Sequence, residues 1–219
     1  MKRVFKTGMI LLAAAALLSG CSGKNGKEET ASAEPAQVLY PVAIDGKEIL
    51  VGETTVQTLL DQGMNVTVSE MTEDKQINQY EIDPEAELEP NTYYTGGSIW
   101  VTDSIFAHIS LVTDEKAVRM GDAVIARLEF SLVSGEESEL KRIAFNGVPV
   151  SEMSREKAGE MFPDFSGDDY MWLQKGEDYE YFMSFDPTDH MLSIFRWKRN
   201  TMWTGAAKSN EGKISEIYN

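Results

Sequence analysis

Apolar positions along the chain change period several times, and each change marks an element. Val42-Ala43-Ile44 is a short apolar run ending at Asp45-Gly46, and Ile143-Ala144-Phe145 is a second one ending at Asn146-Gly147. Asp-Gly and Asn-Gly accept the positive φ of a type I′ turn, so each run predicts a strand that opens a hairpin. A helix follows each hairpin. Thr54 or Thr55 caps the first, whose apolar residues Val56, Leu59 and Leu60 fall at i, i+3 and i+4, and Gly63 can close it in the left-handed region. Ser154 opens the second, with Ala158, Met161 and Phe162 at the same spacing and Pro163 as its stop. That spacing sets one apolar stripe on each short helix, for a sheet to cover.

Beyond the helices the period falls to two. Ile105, Ala107, Ile109 and Leu111 make one strand face, and Val124, Ala126, Leu128, Phe130 and Leu132 another. In the second half Tyr170 to Gln174, Tyr179 to Asp186 and Met191 to Lys198 are β-rich. They are separated by Lys175-Gly176-Glu177-Asp178 and Pro187-Thr188-Asp189-His190, both full of turn residues. Tyr179, Tyr181, Met183 and Phe185 form the expected core face of the middle run. Helix first and strands after predicts an α+β fold, with short helices packed on antiparallel sheet in two related helix-then-meander units. The expected division is 38–139 for the first unit and 140–219 for the second with its C-terminal tail.

The first 37 residues break both periods. Lys2, Arg3 and Lys6 precede the apolar run Met9 to Leu18, whose ten residues make only about 15 Å of helix, too short for a hydrocarbon core of about 30 Å. The segment reads as an export signal. It ends in Leu18-Ser19-Gly20-Cys21, which resembles the lipobox of bacterial lipoproteins. The resemblance implies that 1–20 is a removed signal peptide and that Cys21 carries a diacylglycerol thioether as the new N-terminus. Two acyl chains meet the usual need for stable attachment. Ser22 to Gln37 has no large apolar residue, so 21–37 is expected to be a lipidated tether with a reach of about 20–25 Å. Lipobox and tether together resemble small uncharacterised lipoproteins of Gram-positive bacteria. The order of helix and strands across about residues 38–200 resembles the tandem units of β-lactamase-inhibitor proteins and small outer-membrane assembly lipoproteins. No site residue carries over from either.

Charge narrows the partners. Thirty-six acidic residues stand against 20 basic ones, a formal charge of -16, which becomes -19 once Lys2, Arg3 and Lys6 leave with the signal. Such a body repels phosphate backbones, so nucleic acid is excluded as a partner. One Cys and two His cannot build a multi-cysteine zinc site, and neither metal nor cofactor is expected. His108 lies opposite the apolar face of its strand with no nucleophile beside it, and His190 sits in a turn. The acidic group Asp164, Asp168, Asp169, Glu177 and Asp178 lacks the ligand spacing of an EF-hand. No familiar nucleophile, phosphate-loop or dinucleotide motif occurs, which disfavours an enzyme.

Arg196-Trp197-Lys198-Arg199 is the one cationic run beside an aromatic ring, and it forms the candidate binding surface. The bland alternative places Trp197 in the core. The expected function is a non-catalytic, membrane-anchored module on the extracytoplasmic face that binds a protein or envelope component. The alternatives are a small-ligand or ion-binding lipoprotein with its site between the units, and an envelope enzyme using paired carboxylates.

Overall fold

The Asp45-Gly46 and Asn146-Gly147 dipeptides both make the turns their chemistry favours. A computed structural model describes residues 37–71, 74, 77–200 and 208–209, and its residues from 37 onward belong to one compact unit. Cys21 and the rest of 1–36 lie outside the described residues. β1 (Val42–Ile44) and β2 (Lys47–Ile49) pair across Asp45 and Gly46, at φ 51° and 74°. α1 (Val56–Asp61) follows, and Thr55 is its cap, accepting from the Thr58 amide at 3.2 Å. The Thr54 hydroxyl accepts instead from the Leu50 amide. Then come β3 (Asn65–Met71), β4 (Ile77–Glu81), β5 (Glu87–Leu88), β6 (Thr92–Trp100), β7 (Phe106–Val112), β8 (Val118–Arg119) and β9 (Val124–Ser131).

The second half opens with α2 (Glu137–Leu140) and the hairpin β10 (Ile143–Phe145) and β11 (Val148–Pro149), turned by Asn146 and Gly147 at φ 48° and 80°. α3 (Arg155–Met161) is capped by Ser154, which accepts from the Lys157 amide at 3.2 Å. After it run β12 (Ser166–Gly167), β13 (Met171–Lys175), β14 (Tyr179–Phe185) and β15 (Leu192–Arg199), and β16 (Lys208–Ser209) lies parallel to β6. The two hairpins join into one sheet ordered β11-β10-β1-β2. Nine strands form a second path, β12-β13-β14-β15-β9-β7-β6-β3-β4, in which every neighbouring pair is antiparallel.

The expected α+β class is therefore wrong: the fold is β-rich. The three α-helices of the described residues have six, four and seven residues. Each predicted helix stripe is real but short, because Gly63 and Pro163 stop the chain within two turns. Val56 and Leu59 of α1 and Ala158 of α3 are buried, yet the hairpin sheet supplies much of the cover on the large sheet. Phe145 of β10 meets Phe195 of β15 with ring centroids 4.1 Å apart. Nor do the two stretches stand as separate helix-then-meander layers, since β1 pairs with β10 and β9 with β15.

That pairing is nonetheless two-fold in pattern. Ala43 faces Ala144 at the middle of the β1–β10 ladder, and Glu129 faces Arg196 in the β9–β15 ladder. Asp45 donates its amide to the Arg142 carbonyl, and Asn146 does the same to Pro41. Each helix cap makes an isolated bridge at the start of a central strand, Thr55 to Val124, the first residue of β9, and Ser154 to Met191, just before β15. The flanking bonds repeat as well: Ile125 donates to Thr54 and Leu192 to Met153, while Val56 donates to Ala123 and Arg155 to His190. The matching bonds thus fall at two places, the ends of the β1–β10 ladder and the bridges at the helix caps.

Candidate functional site: the outer face of the large sheet

Alternation in the central strands sorts residues into two layers. Tyr181, Met183 and Phe185 of β14, Phe195 and Trp197 of β15, and Leu128 and Phe130 of β9 point into the core and are at most 2% exposed. Their neighbours point the other way. The strand registers align these outward residues in one row across eight strands: Leu173, Phe182, Arg196, Glu129, His108, Ser98, Thr67 and Glu81. His108 at its centre and Glu81 at its edge are exposed, Leu173, Phe182, Arg196 and Glu129 are half-buried, and Ser98 and Thr67 are buried.

This geometry divides the cationic run predicted as a binding surface. Trp197 is fully buried, stacked on Tyr181 at 5.2 Å and 21°, so it faces away from Arg196 and Lys198. Arg199 is exposed at the end of the strand. Arg196 and Lys198 do share the outer face, and each finds a carboxylate there. Glu129 lies 2.7 Å from Arg127 and 3.5 Å from Arg196, and Glu180 lies 3.1 Å from Lys198 and 3.9 Å from Lys175. The Arg196 guanidinium also sits 4.8 Å over the Phe182 ring. Two carboxylates are thus shared among four cations, which leaves a local surplus of two positive charges on a chain whose formal charge is -16. The Nε groups of Arg127 and Arg196 are buried without a hydrogen-bond partner.

An aromatic cluster that the sequence did not single out continues the face. Trp100 packs on Phe106 at 4.6 Å, and Phe106 meets His108 edge-on at 4.8 Å. Trp100 donates its indole N–H to the Thr67 hydroxyl at 2.8 Å, which fixes the ring on the sheet. The signal was present in the sequence, since Phe106 and His108 alternate with Ala107. Trp100 depends on the pairing of β6 with β7, which no local pattern gives.

The remaining candidates have structural roles. His190 takes φ 61° in its turn, where Asp186 accepts from the amides of Thr188 and Asp189. Those bonds hold the Asp186 carboxyl below its ordinary range. Asp168 accepts from the amides of Tyr170 and Met171 at 2.8 Å each, which likewise lowers its pKa, and Asp169 pairs with Arg155. No group of three or more His, Cys, Asp or Glu among the described residues could hold a metal ion. No described helix is long and apolar enough to cross a membrane.

No family model matches the chain, and no curated protein or solved structure matches it either.

Proposed function

We propose that the protein is a membrane-anchored, extracytoplasmic interaction module, held by lipid on Cys21, whose outer sheet face docks a protein partner without catalysis. The observation that carries this reading is the half-exposed patch of Phe182, Arg196, Glu129 and His108, aligned across four neighbouring strands of the outer face. Phe182 under Arg196 on one side of this face, and Trp100 packed on Phe106 three strands away, are large partly exposed rings that a merely solvated surface would not need. The local cationic surplus sets the partner's chemistry: carboxylates opposite Arg127, Arg196, Lys175 and Lys198, beside an apolar side chain that meets Phe182. Complementary charge of this kind acts on encounter rate and partner choice more than on affinity, so capture should weaken as salt rises.

The test is site-directed photocrosslinking on intact cells. A crosslinker at His108 should yield an adduct that is lost when Arg196 and Lys198 are both replaced by Glu. The same crosslinker at Glu156, exposed on α3, should not yield it. Equal adducts from both positions, or an adduct indifferent to the charge reversal, would refute the docking face. Cys21→Ala should release the protein from the membrane fraction, and retention there would refute the anchor.

A further inference from the structure

A groove of about 490 Å³ lies beside the β3 and β6 end of the large sheet. It falls within the roughly 300–1,000 Å³ of ordinary small-molecule sites. One wall is the half-exposed indole of Trp100 and another is the turn of the first hairpin with Asp45 and Lys47. Asn65, Thr67, Gln79, Thr102, Asp103 and Arg142 add to the polar lining.

The walls are braced before any ligand arrives. Trp100 is held on one side by Phe106 and at its N–H by Thr67. The Thr67 hydroxyl accepts a second bond, from the Gln79 amide at 2.9 Å, so its own proton is left for an oxygen in the groove. Asp45 is fixed by both nitrogens of the Arg142 fork, at 2.8 and 2.7 Å. Residues 101–105 are closed by the amides of Val101 and Thr102 donating to the Ile105 carbonyl, and Ser104 is tied to Glu139 at 2.8 Å. Against these fixed parts, the Asn65 amide, the Lys47 ammonium and the Asp103 carboxylate make no hydrogen bond to another described residue.

We infer that this groove binds a pyranose oligosaccharide, with one sugar ring laid against Trp100 and its hydroxyls shared among Asn65, Gln79, Thr67 and Asp103. A pyranose has an apolar C–H face and a rim of hydroxyls that each donate and accept. An indole bordered by an amide that does both, a carboxylate that accepts and an ammonium that donates is the complementary surface. Rigid walls favour such a weakly apolar ligand, because little side-chain freedom is lost when it binds. A purely apolar ligand would leave the carboxylate and the ammonium without partners. The groove shares the outer face with the proposed docking patch but lies at the β3 and β6 end of it, four strands from Phe182 and without Arg196 or Lys198 in its lining.

Calorimetric titration of the full-length, detergent-solubilised protein with the N-acetylglucosamine tetramer and with cellotetraose tests the inference. At least one should bind at millimolar concentration or below, with affinity falling about tenfold in Trp100→Ala and severalfold in Asn65→Ala. Asn65 is exposed and hydrogen-bonds no described side chain, so its variant remains informative if loss of Trp100 perturbs the sheet. Arg196→Glu should leave binding unchanged, which separates this site from the docking face. Absence of heat with both sugars at about 10 mM, affinity equal to wild type in Asn65→Ala, or loss of binding in Arg196→Glu would each overturn it.

Discussion

The two halves of the protein share a hairpin, a capped helix and a closing strand, but they fill the space beneath them differently. Ile44 occupies the first half where Phe145 occupies the second, and the second half adds Phe162 just past its helix. Phe145 and Phe162 stack at 4.7 Å, and Tyr40 joins them edge-on, 4.9 Å from Phe162. The Tyr40 amide donates to the buried Tyr181 hydroxyl at 2.9 Å, and burial holds the Tyr181 pKa far above the ordinary tyrosine value. The first half instead adds chain. β4, β5 and β8 have no counterpart in the second half, and Gln79 of β4 lines the groove. One half has thus concentrated packing energy in aromatic rings, and the other has extended its surface. The shared ladders hold both stretches in register while their packing differs.

The largest test of this contrast is a pair of truncations at equivalent positions. Phe145→Ala should cost about 4 kcal/mol and Ile44→Ala about 3 kcal/mol, since both side chains are at most 3% exposed and the ring leaves the larger cavity. Denaturant unfolding with a shared m-value reads both. If Ile44→Ala costs as much as Phe145→Ala, the aromatic half holds no special share of the stability.

A smaller effect is expected where the halves agree. Thr55→Ala and Ser154→Ala each remove a hydroxyl that accepts from an amide at 3.2 Å and should each cost about 1 kcal/mol. Backbone bridges to Val124 and Met191 survive both changes. Urea midpoints that differ by much more than this would mean that one helix is anchored by its cap and the other by packing alone.

These caps were legible in the sequence because a cap, a type I′ turn and a two-residue alternation are local. The same is true of β14, whose expected core face is the observed one. Locality also explains the failures. No local pattern marks the bulge at Gly96-Gly97 inside β6, where the register shifts and a Cβ on Gly97 would come within 2.6 Å of Ile109 Cγ1. Arg196-Trp197-Lys198 read as one patch, although period-two alternation sends Trp197 to the opposite layer. The helices were legible, but their failure to dominate was not, because what covers the large sheet is a hairpin pairing between residues 43 and 144. The candidate face is the extreme case. His108 and Glu129 are visible in the sequence, but the row containing them is set by seven strand registers.

The smallest prediction concerns the one place where the equivalent turns differ in charge. Asp45 makes a two-pronged pair with Arg142, whereas Asn146 faces Pro41, which can form none. Asp45→Asn makes the first turn like the second. Hydrogen bonding from Arg142, ahead of its charge, lowers the Asp45 pKa against a smaller opposing effect of burial. A carboxylate whose folded pKa is depressed contributes stability above its unfolded value, about 3.9, and loses it as pH falls through the folded value. With both side chains about two-fifths exposed, the pair is screened and should contribute well under 1 kcal/mol. Wild type should therefore exceed Asp45→Asn slightly at pH 7, and the gap should close below about pH 4 and in high salt. A gap that persists at pH 2, measured by thermal melts of both proteins in the same buffers, would mean that the turn is stabilised by Asp45 through its backbone geometry and not through its charge.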